Sequence, residues 1–588
     1  MTIRLIRIFI VSFLLIFLVS SYLLINRQAN QELWGHLPLW QFSSFWFLFL
    51  SLIKRKSLTD KVFIRQIGLL TLSAVLLSIG FPPFPLPGLL FVALVPLLWA
   101  LQRFETDQSI RISDLFLFLY HTFFLWNVFT TYWVVNTAYA AGIFANVVNA
   151  FLMTLPVLVY YYIVRNLGKN AGLIAFITAW ITFEFLHMRW ELYWPWLTLG
   201  NGLAKMTYGI QWYNITGTLG GSIWILCINY LLHRWWANYR ISKSMRALTA
   251  PGIVFLLPFV FSLFSYFNYQ ETGTQIEVVS VQPNFEPHYE KFDLPQDQML
   301  DRMLSLAANK ITPETDYVVL PETSLDYINL DVPYRSATMR SLADFATENN
   351  LNLISGLAAY RFLEDPEEIK LSTTIPRKGA DGNMEYFERY NCAVQIGPDQ
   401  RIQEYYKALY VPGAEFFPFK KVLFFLQPIV DALGGTNYGY RIRSKFDLFT
   451  SDAAVVAPPI CYESIFGEFV TRFIQKGAEV IFVMTNDGWW DNTAGHRQHA
   501  DYARLRAIET RRDVVRAANM GTCCIINQRG DIFQKTHYGI ADAINVKAHK
   551  NNQITFYVKW GDFLGRISLF ITLLFTARSS MKKYRNGT

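Results

Sequence analysis

Charge is scarce in this chain. Only 17% of its 588 residues are Asp, Glu, Lys or Arg, against about 25% in an ordinary soluble domain, and that shortfall excludes a wholly soluble globular protein. Cysteine is scarce too. Cys227, Cys392, Cys461, Cys523 and Cys524 are too few and too unevenly spaced for a disulfide framework or a zinc site, which leaves room for one of them to be a nucleophile. His496 and His499 lack further ligands at the separations a metal site uses. The net charge of +8 lacks a stripe of Lys and Arg along one element, so nucleic acid is excluded as a partner.

Apolar residues are abundant, at 52% with 16% aromatic, and they are segregated. Up to about residue 268 the chain is a series of apolar runs; a mixed, charge-rich stretch follows, and one apolar run returns near the C-terminus. Crossing about 30 Å of hydrocarbon takes around 20 residues. About ten runs qualify as candidates: 4–26, 39–53, 63–80, 86–101, 113–136, 141–164, 171–188, 219–235, 249–268 and 558–577. Those at 39–53 and 86–101 are short and interrupted, so re-entrant or tilted segments compete there with full spans. Arg4 and Arg7 precede the first run, but its length and the lack of a small-residue cleavage site make it an anchor and not a signal peptide.

Cytoplasmic loops retain Lys and Arg. If all ten runs span, Arg4/Arg7, Lys54-Arg55-Lys56, Arg103/Arg111, Arg165/Lys169, Arg234/Arg240/Lys243/Arg246 and Arg578/Lys582/Lys583/Arg585 share one side. The charge-poor loops 27–38, 81–85, 137–140 and 189–218 take the other, and the large insert emerges with them on the outer face. The expected organisation is 1–60, two N-terminal membrane segments; 61–271, the main membrane helices; 272–556, an outer catalytic domain; and 557–588, a last membrane helix with a basic cytoplasmic tail. The segment 189–218 is packed with Trp and Tyr. Interface anchoring and a lipid-facing cleft beneath the outer domain are both open readings of it.

In the insert, the β-rich runs 276–282, 317–322, 352–360, 392–396, 455–463, 480–487 and 523–527 alternate with helical patterns at 294–310, 335–350, 464–476 and 498–518. This alternation predicts a layered α/β domain, in which reactive groups sit at strand ends. Glu322 closes YVVLPE, Cys461 closes VVAPPIC, and Lys407 precedes a turn. A cysteine thiolate attacks carbonyl carbon but needs a base or a nearby cation to form. A carboxylate can take the thiol proton and an ammonium can stabilise the tetrahedral oxyanion.

The motifs PET (321–323), Lys407 to Glu415 with an internal VPG, and ICYE (460–463) resemble the Glu-Lys-Cys signature of the nitrilase, or carbon–nitrogen hydrolase, superfamily. Flanked by membrane spans, they are similar in particular to the apolipoprotein N-acyltransferase family. The likeness extends to GFPPFPLPGLLFVALVPLLWAL (80–101), FEFLHMRWELYWPWLTLGN (183–201) and TNDGWW…GHRQH…ARLRAIETRRDVVRAANMG (485–521), in order over roughly 65 to 550. It implies a multi-span helical membrane domain plus an inserted nitrilase-like αββα sandwich. It also implies Glu322 as general base, Lys407 as oxyanion-stabilising cation and Cys461 as the nucleophile that becomes a thioester. Glu415 matches the family's second glutamate, and Tyr462 and Glu463 match the positions after its cysteine. Asn391 matches a supporting strand asparagine, and Trp489 an aromatic of the mobile region over the site.

What the resemblance implies of function is N-acylation of the diacylglyceryl-cysteine of apolipoproteins from a phospholipid donor, without cofactor or metal. The expected location is the bacterial inner membrane, with the lipid bilayer as a partner. A membrane-tethered amidase using the same triad, and a non-catalytic membrane scaffold or transporter, are the rival readings; intact Glu322, Lys407 and Cys461 speak against the scaffold. Two departures stand out: Gly413-Ala414-Glu415 where the family has Phe-Gly-Glu, and Pro458-Pro459 inside a strand that should deliver the nucleophile. The extra runs 4–26 and 39–53 read as packing or anchoring helices. Arg504, Arg506, Arg511, Arg512 and Arg516, interspersed with Glu509 and Asp513, are expected to form a solvated, salt-bridged helix face. Cys523 and Cys524 are expected as a buried strand pair.

Overall fold

The structure, a computed structural model, describes residues 3–106, 112–242, 245–291, 293–365, 369–370, 373–379, 382–423, 439–442 and 446–585. Arg111 and Lys243, two of the orienting cations, lie outside the described residues. The chain forms two compact units, one of Met1–Ser265, Thr493–Gly495 and Asp562–Thr588, the other of Tyr266–Asn492 and His496–Gly561.

Among the described residues seven helices are long and apolar enough to cross a membrane: Ile3–Ala29, Lys61–Gly80, Ile112–Thr131, Tyr139–Leu167, Lys169–His187, Tyr213–Tyr239 and Arg246–Asn268. The apolar helices Leu37–Ile53 and Pro87–Gln102 are shorter. The second of these is broken into Pro87–Leu89, Leu90–Ala93 and a helix starting at Val95. Asn229 repairs the break, donating to the Leu90 carbonyl at 2.8 Å and accepting from the Leu94 N–H at 2.8 Å. An apolar surrounding offers no water to satisfy backbone groups freed in this way. The expected run 558–577 is corrected: Phe556–Trp560 is a separate short helix, stopped by Gly561 at φ 55°, and the long helix is Phe563–Arg585. Likewise the run 113–136 ends as a helix at Thr131, with a separate turn at Val134–Thr137.

The second unit is built on two sheets. The first contains β1 (Gln275–Gln282), β2 (Thr315–Val319), β3 (Leu325–Asn329), β4 (Asn352–Phe362), β5 (Thr374–Lys378), β6 (Met384–Ile396), β7 (Ile402–Tyr406) and β14 (Asp542–His549), in the order β14-β1-β2-β4-β6-β5, with β3 on β4 and β7 on β6. The second runs β13-β12-β11-β10-β9-β8, from β8 (Phe449–Thr450), β9 (Val455–Ala457), β10 (Val480–Thr485), β11 (Val514–Ala518), β12 (Cys524–Ile526) and β13 (Ile532–Lys535). Inner-face side chains of both sheets, such as Val278, Tyr317, Val456 and Phe482, share one core, and Tyr317 meets Phe482 edge to face at 5.3 Å. Met303 and Leu342, from the helices Gln296–Ala308 and Ala337–Glu348, cover the outer face of the first sheet. The helices Gly467–Gln475 and Ala494–Thr510 contribute Phe473 and Ala507 on the second. This is a four-layer αββα arrangement with its strands paired face to face.

One expected helix is corrected. The pattern at 498–518 is a helix only as far as Thr510; Arg511 turns to φ 52°, and Val514–Ala518 is β11, paired in parallel with β10. The expected solvated arginine face is corrected with it. Arg506, Arg511, Arg512 and Arg516 are all buried. Arg506 pairs with Glu509 at 2.9 Å and Arg516 with Asp487 at 2.8 Å, while Arg511 donates to the Gln528 carbonyl and Arg512 to those of Ala478 and Gln553.

Candidate active site

Cys461 lies just beyond a strand end. β9 stops at Ala457, because Pro458 and Pro459 have no N–H to continue a ladder. Ile460 then forms a single bridge to Met484 of β10, and Cys461 opens the tight turn Cys461–Ile465 at φ 48°. The proline pair therefore occupies the gap after the strand and breaks no central pairing. Both sides of this gap are tied by Glu463. Its carboxylate accepts from the N–H groups of Ala408 at 2.6 Å and Ile460 at 2.8 Å and from the Tyr405 hydroxyl at 2.8 Å. Burial pushes its pKa up to about 7, with those donors and Lys407 pulling the other way. Tyr462 beside it is buried, its ring edge-on to Phe466 at 5.2 Å.

Glu322 lies three residues past β2, in a turn that leans on β4. Gly356 makes that approach possible: a Cβ there would sit 2.6 Å from both Glu322 Cα and the Pro321 carbonyl oxygen. Thr323, next in line, takes φ 45°, and the buried Lys291 donates to its carbonyl at 2.5 Å and to its hydroxyl at 2.9 Å. Lys407 is the residue immediately after β7, its N–H donating to the Asn391 carbonyl of β6 at 2.9 Å. Gly413, at φ 83°, closes the turn whose N–H returns to Phe416. A glycine is what this position of the departing Gly-Ala-Glu triplet requires, and it delivers Glu415.

These elements converge. Lys407 Nζ donates to Glu322 Oε1 at 2.8 Å and to Glu415 Oε1 at 2.8 Å. Asn391 Nδ2 donates to the same two oxygens, at 2.8 and 3.3 Å, and the Asn486 N–H reaches Glu322 Oε2 at 3.2 Å. The Glu322 carboxylate and the Thr485 side chain both adjoin the Cys461 thiol. Exposure is 6% for Glu322, 1% for Lys407 and 7% for Cys461. Burial disfavours all three charged forms, yet Lys407 and Asn391 hold Glu322 below the usual carboxylate range, and Glu322 and Glu415 hold Lys407 well above the usual amine range. Burial and the Glu322 charge push the Cys461 thiol well up. The resting charges are carboxylate, ammonium and protonated thiol, so the carboxylate next to the thiol can receive its proton.

Of the residues named from sequence, Glu322, Lys407, Cys461, Asn391 and Glu415 meet in this cluster, and Glu463 braces it. Trp489 is partly buried in the turn Asp487–Trp490, its ring edge-on to His288 at 5.1 Å. Sequence reasoning missed Gly356, Lys291, Asn486, Thr485 and a fully buried cluster of Asp487, His499 and Arg516. Asp487, His499 and Arg516 all fall inside the 485–521 stretch, whose order was the available signal. Asp487 accepts from Arg516 at 2.8 Å, the Thr485 hydroxyl at 2.6 Å and His499 Nδ1 at 2.8 Å. Against burial, His499 and Arg516 keep its carboxyl below the ordinary range. Cys523 and Cys524 are both buried, with only Cys524 inside β12.

Two stretches of the chain match known protein families. Residues 73–231 match the apolipoprotein N-acyltransferase N-terminal domain, and residues 278–542 match the carbon–nitrogen hydrolase family. An apolipoprotein N-acyltransferase of Chlorobaculum tepidum is 27% identical over 526 residues, covering 87% of this chain and 96% of the relative. One from Geobacter metallireducens is 24% identical over 514 residues, covering 85% of this chain and 92% of the relative. Among solved structures, a nitrilase-superfamily protein of Saccharomyces cerevisiae, Nit3, is similar over 48% of this chain and 92% of its own length, at 16% identity and a TM-score of 0.34. With the two domains matched in tandem and full-length relatives aligned across both, the chain belongs to the apolipoprotein N-acyltransferase family, whose second domain is a carbon–nitrogen hydrolase domain.

Proposed function

We propose that this chain transfers an acyl chain from a membrane phospholipid to the α-amine of the diacylglyceryl-cysteine that begins an apolipoprotein. The observation that carries the reading is the buried Glu322–Lys407–Cys461 cluster, in a domain that follows the apolar helix Arg246–Asn268. Glu322 takes the thiol proton as Cys461 Sγ attacks the ester carbonyl of the donor, and the oxyanion forms against the Lys407 ammonium. Collapse breaks the ester C–O bond; the departing lysophospholipid oxygen takes the proton from Glu322 and the acyl chain remains as a thioester. In the second half the acceptor amine attacks the thioester and Glu322 takes one amine proton. The C–S bond then breaks, and the Cys461 sulfur recovers that proton as the amide leaves. Glu415 and Asn391 hold Lys407 and Glu322 in register, and Trp489 helps admit the bulky acceptor.

The same reading places the protein in the bacterial inner membrane with residues 272–556 on the periplasmic face, supported by the alternation of Lys and Arg between apolar runs. Cysteine labelling in intact cells tests that orientation. Positions near 300 and 370 should react with an impermeant reagent and those near 56, 243 and 583 should not, and protection of the 272–556 domain would refute it. For the chemistry, labelled phosphatidylethanolamine and a diacylated lipopeptide should yield labelled N-acyl lipopeptide with little free fatty acid. Release of fatty acid, or cleavage of an amide with no transfer, would identify a hydrolase instead.

A further inference from the structure

The nucleophile stands on a strained turn. Cys461 adopts φ 48°, a left-handed conformation that is costly for a residue with a Cβ, and such a conformation persists only where its surroundings over-determine it. Glu463 fixes the approach to the turn through the Ile460 N–H. What ties this turn to the rest of the domain is Ser464. Its hydroxyl lies 2.7 Å from the Cys461 carbonyl oxygen and 2.9 Å from His499 Nε2, and with the Nδ1 hydrogen on Asp487 the free Nε2 accepts the hydroxyl hydrogen.

The other side of the His499 ring is anchored. Nδ1 donates to Asp487 Oδ1 at 2.8 Å, Asp487 Oδ2 accepts from Arg516 at 2.8 Å, and the Thr485 hydroxyl adds a third bond at 2.6 Å. Thr485 ends β10, Asp487 opens the turn two residues later, and Arg516 sits in the middle of β11, so the anchor is tied to the sheet through Thr485 and Arg516. The edge of Trp490 closes on the ring at 5.5 Å. Asp487, His499, Arg516 and Thr485 are all buried, and no step of the proposed chemistry uses His499 as acid, base or ligand.

We propose that His499 is a positioning residue for the nucleophile: its Nε2 accepts from the Ser464 hydroxyl inside the Cys461–Ile465 turn while its Nδ1–H is held by the Asp487–Arg516 ion pair, and this tie keeps the thiol beside Glu322. The proposal rests on Cys461 being the nucleophile. A misplacement of about 1 Å at a reacting atom costs roughly 100-fold in rate. Loss of the brace therefore lowers the rate of attack and leaves lipid affinity alone.

The test uses the full-length protein in detergent micelles and normalises every rate to folded molecules by thermal unfolding. Single-turnover thioester formation on Cys461 from phosphatidylethanolamine is followed by mass spectrometry, and alkylation of Cys461 by iodoacetamide is followed in parallel. His499→Ala should slow both, the thioester step by about 100-fold, with KM for phospholipid unchanged. His499→Gln, which keeps a polar end of similar reach, should recover part of the loss, and Ser464→Ala should show a smaller loss of its own. A purely structural histidine would reduce the yield of folded protein and leave the rate per folded molecule at the wild-type value; that result overturns the proposal. If His499→Ala yields no folded protein, His499→Gln and Ser464→Ala decide, and wild-type rates in both overturn it. Iodoacetamide needs no lipid. A wild-type enzyme that is alkylated at Cys461 but never forms a thioester would refute the acyl-transfer reading, while the alkylation rates of the variants would still decide the role of His499.

Discussion

In the membrane unit the helix Ile3–Ala29 buries only Ile6, Ser20 and Leu24 and exposes Leu5, Phe9, Leu15 and Leu18. In the second unit the stretch from Arg506 to Arg516 turns four guanidinium groups inward. Apolar groups lie outside in one region and charges inside in the other. Lipid accepts the first arrangement without cost, whereas the second is tolerable only because the buried cations have carboxylate or backbone carbonyl partners. For the charged groups of the second unit burial therefore follows partnership, and these clusters are where chemistry and fold constrain each other.

The largest effect expected from that contrast is at the nucleophile. Cys461→Ala should lower transfer by roughly 10⁴-fold or more while the protein still unfolds at the wild-type temperature. A variant retaining most of its activity would remove the buried cluster from the chemistry.

Stability comes next. Arg506→Met leaves Glu509 buried without its cation and should destabilise the second unit by about 3–5 kcal/mol, with partial recovery in the Arg506→Met/Glu509→Met double variant. Leu15→Ala, on the exposed apolar helix, should change unfolding in micelles by less than about 0.5 kcal/mol. Denaturant or thermal unfolding of the three proteins under one condition checks this, and similar losses in Arg506→Met and Leu15→Ala would dissolve the contrast.

The pH dependence of Cys461 sharpens it further. Burial and the Glu322 charge raise the thiol pKa and Lys407 lowers it. Wild-type alkylation by iodoacetamide should therefore keep rising above pH 9, with no thiolate plateau near neutrality. Glu322→Gln removes a negative neighbour, so the rise should move to lower pH even as transfer is lost. Lys407→Met removes the cation and should move the rise to higher pH. Shifts of the opposite sign would mean that the three groups do not share one field.

The smallest effect is expected at Trp489, which is only partly buried. Trp489→Ala should still form thioester but pass it to a lipopeptide amine several-fold more slowly. Equal loss in both half-reactions, after normalising to folded protein, would make Trp489 a packing residue.

Much of this was legible in the sequence for identifiable reasons. Helices such as Lys61–Gly80 announce themselves because a span needs a continuous apolar run. Glu322, Lys407 and Cys461 could be singled out because reactive groups at strand ends come in recognisable motifs. The Asp487–Arg516 pair was hidden because its members lie 29 positions apart, and a one-dimensional charge pattern does not show which carboxylate an arginine will meet. β11 was hidden for a related reason: Val514–Ala518 continues a helical pattern without a break, and only the turn at Arg511 and pairing with β10 make it a strand. Gly356 and Lys291 serve Glu322 from distant positions in the chain, and nothing local marks either.

The central claim is that Cys461 carries the acyl chain between two lipid substrates. Wild-type protein incubated with phosphatidylethanolamine alone, then analysed by intact and peptide mass spectrometry, tests it most directly. The account predicts a mass gain of one acyl group located on Cys461, removed by hydroxylamine and discharged by a diacylated lipopeptide with a free α-amine. No adduct, an adduct on another residue, or one that the lipopeptide leaves in place would contradict it.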